Sequence, residues 1–499
     1  MSEKSIIIIG AGLAGLSTGY YAQVNGYASH ILEHHRVPGG VAACWKRKGY
    51  LIDGGIHFLM GHRPGSAVYQ LYRDLGITQR NRFPDMTTYG RFVDEASERS
   101  VEITLDLERL GHDLKALSPA DADLVDELIA GSRALQGMGM GDMGKPPELS
   151  GRLDFLKQMW GMRRYLRYFG GKFSKPAREY AQWAQDPMLR DLITDLFLPD
   201  VPVWFIFMLL GLVADRQMGF LADGSLDFAR AIEKSYRQLG GQVTYQATVQ
   251  EILVEDDKAV GVRLADGSEH RADVVVSAAD GYSTLFELLG GRYVDDKTKE
   301  RYENWELIRP MLMVSLGVTR EFPDEPWLTS VRLAQPFTLG SQTIDGFIIR
   351  IFNYSDRFAP AGKTVVQVSL ETEWDYWHDL RADMPRYQAE KERVVAEVLK
   401  RLEAHYPGIS SQVEVTDVAT PYTTWHYTRN HRGAYMGWLP TGQVIMTAIP
   451  RTLPGLENFY MAGQWVMPGG GVPACLYSGQ HVVQILCKRD KKPFLVRET

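Results

Sequence analysis

Cysteine is scarce in this chain. Only Cys44, Cys475 and Cys487 occur among 499 residues, none in a CxxC pair, which excludes a disulfide framework and a cysteine zinc site. Such usage fits a reducing, cytoplasmic compartment. Basic residues are not in excess either: 55 Lys and Arg face 61 Asp and Glu, giving a net charge of −6. With no long basic run to concentrate positive charge, nucleic acid is not an expected partner. The longest uncharged apolar run, residues 201–214, falls short of the roughly 20 residues that cross a bilayer. It reads as a buried core helix or, if the substrate is a lipid, as a membrane-dipping segment. The apolar stretch Ser5–Ile9 meets glycines at once, so it lacks the longer apolar core and cleavage site of an export signal. Also missing are a metal-spaced histidine cluster, a nucleophile triad and a paired-carboxylate signature.

What is present is the composition of a folded protein, with 45% hydrophobic and 23% charged residues, in a chain too long for one ordinary domain. The sharpest local signal lies at the start. Ser5–Ile9 (SIIII) is a continuous β-branched run of the kind buried on both faces of a parallel sheet. Gly10, Gly12 and Gly15 follow it as GxGxxG, with Ala14 inside the turn. A helix then begins, and Asn25-Gly26 stops it. A second strand, 28–32, ends on Glu33. In this context Gly10 permits a tight turn, Gly12 lets backbone approach a pyrophosphate, and Gly15 lets helix and strand pack closely. The free N–H groups at the helix start favour phosphate. Glu33 suits a ribose hydroxyl, and hence an adenosine without a 2′-phosphate.

Along the chain, segments 1–64, 215–290 and 451–499 have α/β character and read as one interleaved dinucleotide domain. Residues 65–214 are helix-rich with many aromatics, a helical excursion on the substrate or membrane side. Residues 291–450 begin with alternating strands and continue into a long amphipathic helix over 387–405, a mixed α+β substrate domain. The glycine-rich stretch 137–145 lacks the spacing of a phosphate loop and follows a helix rather than a strand, so it reads as a Met-rich loop. The fold class is therefore α/β, a Rossmann-type domain interleaved with a mixed domain and a helical excursion.

The segment 38–57, PGGVAACWKRKGYLIDGGIH, resembles the second conserved stretch of the phytoene desaturase and amine oxidase superfamily. The resemblance implies FAD as cofactor, with Gly39 and Gly40 against the pyrophosphate and ribityl chain and Asp53, Gly54 and Gly55 closing a loop near the flavin. Residues 248–280 resemble the family's adenine-side strands, which implies a backbone contact from Val249. Residues 457–479 resemble its flavin-tail motif, which implies that Gly463, Gln464, Gly471 and Val472 lie at the flavin phosphate and pyrimidine end. Val41 stands where the family often has Arg, and Gln464 where it usually has an acid.

The resemblance implies an FAD-dependent oxidoreductase that desaturates, saturates or isomerises C–C or C=C bonds of a polyene, isoprenoid or acyl chain. Electrons would leave to oxygen or a quinone. The alternatives are amine oxidation, with Trp425, Tyr427 or Trp438 forming an aromatic cage, and a flavin-bearing lipid carrier without turnover. His57, just after the Asp53 loop, is expected beside the flavin as acid, base or hydrogen-bond donor, since its ordinary pKa of about 6.5 suits proton transfer near neutrality. A peripheral membrane contact is expected through 201–214 and the segment 160–172, with Arg163, Arg164, Arg167 and Lys172 on head groups and Trp160, Tyr165 and Phe169 in the interface.

Overall fold

The isoleucine run at the start of the chain forms the centre of a parallel sheet. The computed structural model describes residues 4–139 and 143–497, so residues 140–142 of the expected Met-rich loop lie outside the described residues. Strands β1 (Ser5–Ile9), β2 (Ala28–Leu32), β3 (Gln242–Thr244), β4 (Val274–Ser277) and β5 (Phe459–Met461) line up in the order β5-β4-β1-β2-β3. Every pairing is parallel. Side chains alternate across a strand, and β1 uses both faces. Ile6 and Ile8 join a core with helices α1 (Leu13–Val24), α3 (Ser225–Gln238) and α5 (Gly471–Arg489). Ile7 and Ile9 face a second core with Ile252, Val262 and Val275 beneath a three-stranded antiparallel sheet. Each buried isoleucine contributes about 1.5–3 kcal/mol.

A seven-stranded sheet stands beyond this unit. Its order is Val413–Ala419, Met311–Val318, Thr364–Glu371, Gln342–Ile351, Leu328–Leu339, Thr88–Asp94 and Arg99–Thr104. One face packs on helix α4 (Met384–His405) through Val394, Val398 and Leu402. The other face is turned to a cavity. Two strands of this sheet come from the stretch read as helical, because Thr88–Asp94 pairs in parallel with Leu328–Leu339.

Helix α2 (Val203–Ala214) occupies the longest apolar run. It is buried, with Phe207 against Gly131 and the backbone of 132–136 against Gly211. That placement corrects the membrane-dipping reading: its apolar surface is already covered by protein.

Candidate functional site

One cavity of about 2300 Å³ extends from the parallel sheet to the open face of the seven-stranded sheet. Its first wall is the β1-α1 turn. Gly10 has φ +96°, in the left-handed region where glycine is favoured. Helix α1 begins at Gly12 with no side-chain cap and no acid in its first turn. Its leading N–H groups therefore lack the usual partners, and Gly12, Leu13 and Ala14 line the cavity. A Cβ on Gly12 would meet nothing within 4 Å, so this backbone faces open volume of the kind a phosphate fills. Gly39 and Gly40 close the cradle opposite, with Gly39 N–H donating to the Ala11 carbonyl at 2.9 Å. Gly15 does not reach the cavity. A Cβ there would lie 1.9 Å from the Gly10 carbonyl oxygen, so its role is the close packing of helix on turn.

Glu33 lies buried at the end of β2 and lines the same cavity. Its carboxylate accepts the Ala11 N–H at 2.5 Å and the His35 N–H at 2.7 Å. Burial pushes its pKa up, and the two backbone donors oppose that shift. Val249 lines the cavity on the same side. At the far end Gly463, Gln464, Gly471 and Val472 line it where α5 starts, at Gly470, again without a side-chain cap. Two uncapped helix starts thus point into one volume.

Asp53 is placed differently from the expectation. Its carboxylate does not line the cavity but is buried against protein donors: Gly55 N–H at 2.9 Å, Ser225 N–H at 2.9 Å and Ser225 Oγ at 2.7 Å. It shapes the loop, while Gly54 and Gly55 form the wall. Of the three aromatics considered for a cage, Trp425 and Tyr427 line the cavity. Trp438 is buried outside it, with Nε1 donating to the Trp465 carbonyl at 3.3 Å.

His57 lines the cavity and makes no hydrogen bond among the described residues. Desolvation, aided by the nearby Arg350 guanidinium, pushes its pKa well below the ordinary value. A shift in this direction favours the neutral imidazole, the form that serves the expected base or hydrogen-bond donor. Arg350 is a fully buried cation with no ion pair among the described residues, bonded to Gln367 Oε1 at 2.9 Å and stacked 4.8 Å over Phe352. We expect the His57 ring resonances in ¹H–¹⁵N spectra to stay at neutral-imidazole positions throughout pH 6 to 8. A titration midpoint near 6.5 would contradict this.

The remaining wall is largely apolar, with Phe58, Trp204, Phe205, Met208, Leu328 and Phe347. Among them stand polar side chains that motif reading missed: Ser369, Glu371 and Tyr435. The available signal was period two. In the strand Thr364–Glu371, Gln367, Ser369 and Glu371 alternate with Val366, Val368 and Leu370, which are buried in the opposite core.

Residues 13–487 match the family model described as flavin containing amine oxidoreductase. Prolycopene isomerase of Arabidopsis thaliana is 25% identical over 494 residues, covering 95% of this chain and 81% of that protein. A lycopene-forming phytoene desaturase of Pseudescherichia vulneris is 23% identical over 97% of this chain and 99% of its own length. Among solved structures, an oxidoreductase of Methanosarcina mazei superposes with a TM-score of 0.60 at 16% identity, covering 96% of this chain and all of the other. Wild-type putrescine oxidase bound to putrescine gives 0.61 at 12% identity, with 98% and 100% covered. These likenesses share the fold, and the match spanning both helix starts and nearly the whole chain carries the assignment: this protein belongs to the flavin-containing amine oxidoreductase family.

Proposed function

We propose that this protein is an FAD-dependent enzyme that desaturates, saturates or isomerises the C–C and C=C bonds of an extended apolar polyene. The observation that carries the reading is a single cavity with an uncapped phosphate cradle at one end and a long, mainly apolar wall at the other. The names of the relatives support it, since those similar over almost the whole chain act on carotenoids. Segments 1–64, 215–290 and 451–499 would then form the FAD domain, with 65–214 and 291–450 on the substrate side.

Bound FAD would supply the centre that accepts or returns hydride. The chain's own residues hold and shield it. Gly10, Gly12, Ala14, Gly39 and Gly40 present backbone to the pyrophosphate and ribityl chain, and Glu33 accepts a ribose hydroxyl. Val249 meets the adenine, while Gly463, Gln464, Gly471 and Val472 meet the flavin end. Gly15 and Asp53 act behind them by holding the backbone in shape. Neutral His57 offers one ring nitrogen as hydrogen-bond donor and the other as acceptor. The apolar wall excludes water, and electrons leave to oxygen or a quinone. Purified protein should be yellow, and acid precipitation should release FAD noncovalently at about one per chain. A colourless protein, or FMN in the supernatant, would overturn the cofactor assignment.

The substrate is delivered, in this reading, from an anionic membrane surface. Helix 152–162 exposes Leu153, Leu156 and Trp160 at 74%, 61% and 70% of their surface. These positions recur at helical spacing. Arg163 stacks over Trp160 at 4.5 Å and, with Arg164 and Arg167, follows the apolar patch. Gly161, Met162 and Arg164 also line the cavity, so patch and cavity share a rim. Of the expected contacts, Tyr165 is buried and Phe169 packs on Trp204 at 5.0 Å. Lys172 is paired with Glu127 rather than free. We expect flotation with vesicles containing phosphatidylserine, and loss of flotation when Leu156→Asp and Trp160→Ala are combined. Equal recovery of both proteins at the bottom of the gradient would remove the membrane contact.

A further inference from the structure

The cavity face of the seven-stranded sheet carries a ladder of polar side chains that the cofactor cradle does not use. Strand register sorts them into rungs. Met313 pairs with Ser369, Ser369 with Ile348, and Ile348 with Ser330. This rung lies beside the flavin-end loop, since a Cβ on Gly54 would come 3.3 Å from Met313 Cε. One rung back, Ser315, Gln367 and Arg350 are tied to that loop, with Gln367 Nε2 donating to the Asp53 carbonyl at 3.1 Å. One rung forward, Met311 pairs with Glu371, two residues or roughly 6.6 Å from Ser369.

Glu371 is a carboxylic acid open to this cavity, with no hydrogen bond and no ion pair among the described residues. Ser369, 2% exposed and lining the cavity, has an Oγ without a hydrogen-bond partner among the described residues. Tyr435 reaches the cavity from the other side. The carbonyl of its neighbour Met436 would lie 2.9 Å from a Cβ on Gly470, so this stretch abuts the start of α5. Polar side chains that stand in a mainly apolar wall, Glu371 exposed to the cavity and Ser369 buried, with no partner among the described residues, point to a group on the ligand or to a proton in transit.

Resting on the flavin reading above, we propose that Glu371 is the proton-transfer residue, acting on the carbon next to the one that exchanges hydride. When a double bond forms, one hydrogen leaves as hydride to an oxidised flavin. The adjacent C–H loses a proton to the Glu371 carboxylate, and the electron pair of that bond becomes the π bond. Saturation runs the same steps backwards from flavin reduced by a two-electron donor such as dithionite, with protonated Glu371 giving the proton. The oxidised flavin is restored by oxygen or a quinone.

The surroundings suit a carboxyl that changes state at work. Burial pushes its pKa up, Arg309 opposes the shift, and Asp200, itself paired with Arg178 at 2.7 Å, adds to it. Tyr435 faces it with a phenol whose pKa is raised far above the working range. Arg332 and Asp345, paired to each other at 2.9 Å, and Arg350 stand on neighbouring strands, and Asp195, held 3.5 Å from Arg332 with its pKa pushed up to about 6 by burial, lines the same cavity. The carboxylate form is required to take a proton, so desaturation should rise with pH through the Glu371 pKa. Saturation should fall through it.

Two readouts test the proposal. Dicyclohexylcarbodiimide, which attacks protonated carboxyls in apolar sites, should label Glu371 in purified holoenzyme, with peptide mass spectrometry locating the adduct. Prior loading with a polyene should block it. In parallel, Glu371→Gln should keep its flavin content and melting temperature but lose turnover of that polyene by about 100-fold or more. Its pH profile should flatten, and Glu371→Asp should recover part of the rate. Turnover of Glu371→Gln within threefold of wild type, with an unchanged profile, would overturn the proposal. Should wild type convert no polyene, the functional reading fails by itself. The label then decides: a polyene-protected adduct supports Glu371 as the cavity's proton site, and its absence overturns it.

Discussion

Gly12→Val should fold and purify without flavin, whereas Gly15→Val should lose both flavin and stability. Gly12 has φ −66° and ψ 175°, which any residue adopts, and a new Cβ would meet no protein atom within 4 Å. The added side chain would instead fill the volume assigned to the pyrophosphate. Melting temperature of the apoprotein should stay within about 2 °C, because a surface-like substitution without strain changes stability by roughly 0.5 kcal/mol or less. At Gly15 the new Cβ would fall 1.9 Å from the Gly10 carbonyl oxygen, inside hard-sphere contact, and 3.3 Å from Ala278 Cβ. Helix α1 would have to lift off β1. We expect a loss of more than about 3 kcal/mol, in the range that marks core overpacking. Urea melts followed by tryptophan fluorescence, together with the absorbance ratio of flavin to protein, separate the two outcomes. Equal loss of stability in both variants would show that Gly12 is a packing position and would remove the cradle.

Asp53→Asn should be the most damaging single-atom change near the site. The carboxylate accepts from Gly55 N–H, Ser225 N–H and Ser225 Oγ, and all three are donors in a buried setting. An amide nitrogen in place of one oxygen confronts a donor with a donor. The Ser225 hydroxyl also holds Ile56, accepting its N–H at 2.7 Å, so the strain spreads along residues 54–57. A cost of about 1–3 kcal/mol is expected, the scale for leaving a buried polar group unpaired. Flavin should dissociate faster as the Gly54-Gly55 wall relaxes. Thermal melts of apo and holo protein test this, and a variant as stable as wild type with full flavin would show that the Asp53 network is not what shapes the loop.

The β1-α1 turn and its parallel sheet were legible in the sequence because their signals are local. The β-branched run, three glycines at fixed spacing and an acid at the end of the next strand all fall within 33 residues. The substrate side was less so. Thr88–Asp94 and Arg99–Thr104 form a local antiparallel pair within helix-rich sequence, and the pair joins the sheet only through Leu328–Leu339, far along the chain. Leu328–Leu339 itself contains Pro336, and its register breaks between Arg332 and Phe337, so the alternation that marks a strand is interrupted. The burial of α2 was open for a related reason. A helix apolar all round can face protein or lipid, and only tertiary packing against 122–135 decides. His57 lines the cavity, but what surrounds it was not legible: burial first, then Arg350, on a strand nearly 300 residues away, lower its pKa. Glu371 closes a strand, where an acid normally reads as a solvated end.

The most direct test is anaerobic incubation of the holoenzyme, oxidised in one arm and dithionite-reduced in the other, with two candidate substrates. One is a polyene such as phytoene or a poly-cis lycopene in anionic vesicles, and the other is a small diamine such as putrescine. The account predicts extracted polyene with an altered number or geometry of double bonds in at least one redox arm, and an oxidised flavin that keeps its colour with the diamine. Bleaching of the flavin by the diamine, with every polyene recovered unchanged, would contradict it.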